Sequence, residues 1–195
     1  FRRVLFRSYG AAFAYFGSLG FGFIAVELAL LQHLTLLLGH PIFTLSVLLF
    51  TLLASGGVGS AISARVRPGA ACLAVAIIGG TEAWLLPRVV PLLLPLPLAA
   101  RLAVAMAAIA PLGLAMGMPF PLGLRAAGRG ALPPPPFFWG LNGIMSVIGS
   151  VTTVFVALRL GFQAAMVSGC LCYLLAATVA RTALGGSDVE RSAAS

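Results

Sequence analysis

Apolar residues run along this chain in long, nearly unbroken blocks, with neither the alternation of a half-buried strand nor the single stripe of a surface helix. Six blocks stand out, near residues 11–38, 42–63, 69–88, 98–118, 138–158 and 162–183, each roughly 17 to 28 residues long. At ~1.5 Å of rise per residue, such lengths match the ~30 Å hydrocarbon core of a bilayer. The punctuation between them is that of helix ends. The first block holds no proline and stops at Gly39-His40-Pro41, and the second ends at Arg65-Val66-Arg67-Pro68-Gly69. The third fades into Pro87, Pro91, Pro95 and Pro97, a stretch too rich in proline for regular helix. A second proline-rich zone, Pro119 to Pro136, closes the fourth, and Phe137-Phe138-Trp139 opens the fifth with aromatic rings suited to a bilayer interface.

Because a backbone in lipid must bond to itself, these lengths predict an all-α fold: a polytopic membrane helix bundle of about six transmembrane helices. The expected organisation is a cytoplasmic stub at 1–10, a transmembrane domain at 11–184 and a polar tail at 185–195. The chain starts at Phe1 with FRRVLFRS, and no small-residue cleavage pattern follows a short apolar core. That start predicts a fragment of a longer protein rather than a signal peptide.

Composition supports the same class. Hydrophobic residues make up 61% of the 195 positions and charged residues 8%. A soluble domain carries about a quarter charged residues, and disorder needs low hydrophobicity with high charge, so both are excluded. The net charge of +8 comes from twelve arginines and no lysine. They lie singly or in small groups between the apolar blocks, which argues against nucleic acid as a partner and for a topological role. Nine of them (Arg2, Arg3, Arg7, Arg65, Arg67, Arg125, Arg129, Arg181, Arg191) fall on one side if the helices alternate, and three (Arg88, Arg101, Arg159) on the other. The larger group predicts cytoplasmic N- and C-termini. Cys72, Cys170 and Cys172 all sit inside apolar blocks and read as buried small hydrophobes; residues two apart on a helix face different ways, so Cys170 and Cys172 are poorly placed to pair.

Few residues can carry chemistry. Glu27 sits midway along the first block, where an ionised carboxylate costs several kcal/mol. Gly20, seven residues earlier, lies about 20° away on the same face and admits a neighbouring helix. Gln32 and His33 follow toward the outer end. Two readings stand for Glu27: a cation- or proton-responsive carboxylate lining a cavity, or a hydrogen-bonded lock between helices. Glu82, late in the third block and near Trp84 and Arg88, is expected near the outer interface. His33 and His40 are seven apart but too few for a metal site, so neither metal nor cofactor is expected in this chain.

Small residues mark helix contacts: Gly56 and Gly59 at the end of the second block, Gly113 and Gly117 as GxxxG in the fourth, and Gly143 and Gly149 in the fifth. Asn142, Ser146 and Ser150 recur every four residues in the fifth block, and serve either as interhelical hydrogen-bonding groups or as a polar pathway. No glycine-rich nucleotide loop and no acidic pair in a loop is present, and the single aspartate, Asp188, lies in the tail. An enzyme formed by this chain alone is not expected.

Four motifs in order, GFGFIAVELALLQHLTLLLGHPIFTLSVLLF (Gly20 to Phe50), SGGVGS (Ser55 to Ser60), GMPFPLGLR (Gly117 to Arg125) and WGLNGIMSVIGSV (Trp139 to Val151), carry a resemblance. Together they look like the membrane region of bacterial spermidine-synthase-like membrane proteins, in which helices are fused to an aminopropyltransferase-like soluble domain. The resemblance covers about residues 20–183, and its matching positions include Glu27, Gln32, Gly39, His40, Pro41, Pro119, Pro121, Arg125, Asn142 and Gly149. It implies a six-helix unit in the bacterial inner membrane, with a Rossmann-type domain of the same full-length protein as partner. It also implies handling of a polyamine-like cation. The soluble domain is missing from this chain, so no catalytic residue carries over. Six helices with the turn GSAISARVR after the second also resemble half of a major-facilitator-type transporter, which would act as a homo-oligomer. A purely structural membrane anchor is the third reading.

Overall fold

The computed structural model describes residues 2–127 and 133–184, with side chains described from Tyr9 onward and as far as Thr182. Phe1, Arg129 and the polar tail 185–195 lie outside the described residues. Among the described residues seven α-helices form: α1 (Arg2–Leu38), α2 (Pro41–Ile62), α3 (Pro68–Leu93), α4 (Leu98–Met116), α5 (Pro119–Ala127), α6 (Pro135–Leu160) and α7 (Phe162–Val179). Short 3₁₀ and π turns follow α2 and α7, at Ser63–Arg65 and Ala180–Leu184. Six segments are long and apolar enough to cross a membrane, α4 and α5 together making one of them. The chain is thus an all-α, multi-pass membrane helix bundle.

Local chemistry sets the helix ends. Gly39 takes φ +86°, which releases α1, and its N–H still closes on the Thr35 carbonyl at 2.8 Å. Pro41 then starts α2, as Pro68 and Pro135 start α3 and α6, each where a helix has no use for the N–H that proline lacks. One residue, Gly161, separates α6 from α7 at φ +88° and ψ 163°, a backbone region open in practice to glycine alone.

Two expectations change. The third span runs on through Pro87 and Pro91 to Leu93 instead of fading near residue 88. Proline removes one backbone bond but does not stop a helix whose flanks are packed, and the Arg88 guanidinium donates to the nearby Trp84 carbonyl while lying 4.2 Å from its indole centre. The fourth span does not end at the second proline zone. It breaks at Gly117-Met118 and resumes as α5.

Glycine decides how closely the helices approach. A Cβ on Gly20 would strike the Asn142 backbone carbonyl of α6, and one on Gly59 the Leu114 carbonyl of α4. Gly113 and Gly117 of α4 are equally filled by Ser55 and Gly56 of α2. Gly149 lies against Phe21 and Ile24 of α1, while Gly22 of α1 meets Gly169 of α7. Gly143 faces open space, so it packs against no helix among the described residues. The core lies around α1, which packs against α6 and α7 and carries the buried Tyr15, Phe16, Val26, Leu30, Leu34 and Leu37.

Candidate functional site

The break between α4 and α5 opens a cavity of about 250 Å³ toward α1, α6 and α7. The break itself lines one side: Met116 ends α4, Gly117 caps it, and Pro119, Phe120 and Pro121 begin α5. Pro119 and Pro121 have no N–H to continue the α4 hydrogen-bond ladder across this point, and the helix breaks here. The Ala115 carbonyl is met by Met118 N at 3.3 Å, and Pro121 has nothing to offer the Gly117 carbonyl. The C-terminal, negative end of the α4 dipole therefore lies at the cavity wall.

Four aromatic side chains line the walls: Phe23 from α1, Phe120 from α5, Trp139 from α6 and Tyr173 from α7. Phe120 is held in place on two sides, with its ring 5.4 Å from Phe16 and 4.7 Å from Trp139. Phe16 in turn stacks on Phe138 at 4.3 Å. The triplet expected at a bilayer interface is thus divided. Phe138 is buried in the core, while Trp139 is 63% exposed and stands at the cavity edge.

Asn142 is the polar side chain in the wall. Its Nδ2 donates to the Phe16 carbonyl at 3.4 Å, which leaves Oδ1 as an acceptor. One turn on, Ser146 Oγ lies 3.0 Å from the Gly20 carbonyl and 2.9 Å from the Asn142 carbonyl, and its single proton serves one of them at a time. Asn142 and Ser146 therefore tie α6 to α1 where Gly20 allows contact. Ser150 bonds its own helix at Val147 and does not extend a polar line from them.

The remaining expected residues do not reach this cavity. Glu27 is half-buried on α1 and Gln32 is exposed. His33 is buried, at 9% exposure, with Nε2 unbonded. At about 100° per residue these three positions point in three directions. Glu82 corrects the sequence reading. It lies mid-helix in α3, only 8% exposed, and its Oε2 has no hydrogen-bond partner. The signal for its burial was available in Cys72, Val75, Ala76, Gly79 and Ala83, which repeat at helical spacing along one buried face. Tyr15 was also missed: it donates to the Pro119 carbonyl at 2.8 Å and anchors the start of α5 under the cavity.

Chemically, the cavity offers aromatic faces, a thioether, an amide oxygen and the carbonyl end of a helix, with no acidic or basic side chain in its wall. Such a set binds and orients, and it favours cations through ring quadrupoles and oxygen dipoles. Among the described residues no group of three or more His, Cys, Asp or Glu converges as a metal site. No family model, curated protein or solved structure matches the chain.

Proposed function

We propose that this chain is the membrane domain of a spermidine-synthase-like protein and that its bundle holds a polyamine-like organic cation in the cavity at the α4–α5 break. The observation that carries this reading is the pairing of aromatic walls with the carbonyl end of α4 and Asn142 Oδ1. An extended amine presents ammonium groups to oxygen acceptors and rings, and methylene runs to apolar walls. The cation sits at the arginine-rich end of the bundle, close to where a Rossmann-type domain of the full-length protein would be attached. Glu27 is not needed for this site.

The cavity has its own reporter. Trp84 and Trp139 are the two tryptophans, and only Trp139 lines the cavity. In a Trp84→Phe background, titrating the detergent-solubilised protein with spermidine is expected to change Trp139 emission saturably. Phe120→Ala and Asn142→Ala are each expected to weaken the midpoint about fivefold to thirtyfold, corresponding to ~1–2 kcal/mol for a cation–π or polar contact. A linear, non-saturating response equal in all three proteins would remove the cavity from polyamine handling.

A further inference from the structure

Glu82 has no role in the cavity just described, yet it is the described acidic side chain most completely withdrawn from the surface. It stands fifteenth of the 26 residues of α3, ~20 Å from Pro68 along the axis. A carboxylate kept to lock helices together would bond across the contact, as Ser146 bonds across to Gly20. Glu82 makes no such bond, and Oε2 is left buried and unbonded. Nor is a counter-charge at hand among the described residues. On α7 the titratable neighbour is the thiol of Cys170, which lies one turn below, against Gly79. On α4 the residue placed near this level is Leu112, apolar and buried, against Gly79. On α1, Tyr15 lies beside Cys72, ten residues down α3, and neither Glu27 nor His33 bonds to Glu82. Arg125 of α5 is exposed at the far end, and Arg181 of the closing π turn packs on Gly69, thirteen residues away. Among the described residues no cluster of His, Cys, Asp or Glu could hold a metal ion there.

A buried carboxyl with neither lock nor counter-ion favours its neutral form in lipid and gives up its proton only under alkaline conditions. We propose that Glu82 is a proton-binding site inside the bundle, taking up and releasing one proton at the α3–α7 contact. Gly79, one turn before Glu82, lets the Cys170 thiol of α7 approach α3 closely. Tyr173, one turn further along α7, brings the same helix face to the cavity wall. The site is independent of the polyamine reading and can stand if that reading fails.

Two measurements test it. Infrared difference spectra of the purified protein, recorded between an alkaline and an acidic buffer, are expected to gain the carbonyl band of a protonated carboxylic acid. That band should vanish in Glu82→Gln and persist in Glu27→Gln. Its persistence in Glu82→Gln would overturn the proposal. In the wild-type protein, dicyclohexylcarbodiimide enters from the lipid phase, takes the carboxyl proton on nitrogen and bonds the carboxyl oxygen through carbon. Mass mapping is expected to find the adduct on Glu82, in decreasing yield as the pH rises. An adduct on Glu27 alone, or a Glu82 yield that ignores pH, would equally overturn it, and this arm needs no variant to fold.

Discussion

Glu27 and Glu82 carry the same side chain on two membrane helices, and the surroundings give them opposite standing. Glu27 keeps part of its surface outside the bundle, whereas Glu82 is buried on α3, which packs against α7. Periodicity around Glu27 is uninformative because nearly every neighbour is apolar; around Glu82 the small residues Cys72, Ala76, Gly79 and Ala83 already mark the packed face. Arg101 shows the same limit. Its place between apolar blocks assigned it to the outer group, but its guanidinium also donates to the Leu37 carbonyl at 3.0 Å and so caps α1. Glycine gives the sharpest residue-scale prediction. Gly59→Leu would drive a side chain into the Leu114 backbone, whereas the Cβ of Gly143→Leu would enter open space among the described residues. Thermal unfolding in detergent should show Gly59→Leu destabilised by ~1–3 kcal/mol, with Gly143→Leu near wild type. If Gly143→Leu alone is destabilised, a second copy covers that face.

At the scale of elements, the break between α4 and α5 matters most. The prolines at 119 and 121 were legible as a helix terminator, but their consequence was not: the chain resumes as α5 and leaves a helix end inside the bundle. Pro121→Ala would supply an N–H able to close on the Gly117 carbonyl and draw the break toward continuous helix. Spermidine titration of that variant is expected to show weaker Trp139 quenching, with helix content by circular dichroism unchanged or slightly raised. Unchanged binding would mean that the aromatic walls alone hold the ligand. Pro87 and Pro91 sit within α3 without such a break, so proline spacing by itself does not locate a cavity.

For the molecule as a whole, the arginines predict which end faces the cytoplasm. Arg65, Arg67, Arg125 and Arg181 lie at one end of the described bundle, and Arg88, Arg101 and Arg159 at the other. In a background without the three cysteines, Leu96→Cys in intact cells is expected to react with a membrane-impermeant maleimide, and Ala64→Cys only after lysis. The reverse pattern would invert the topology.

The six spans, the helix ends at Gly39-His40-Pro41 and Pro68 and the all-α class came from the amino-acid order alone, because the need to bond every backbone group in lipid acts on each segment separately. Which helices touch, which glutamate is enclosed and which rings share a cavity were decided by tertiary structure. In segments apolar on every side, hydrophobic pattern no longer distinguishes a protein-facing surface from a lipid-facing one. Only the close approach of backbones at Gly20, Gly22, Gly59 and Gly117 makes that distinction.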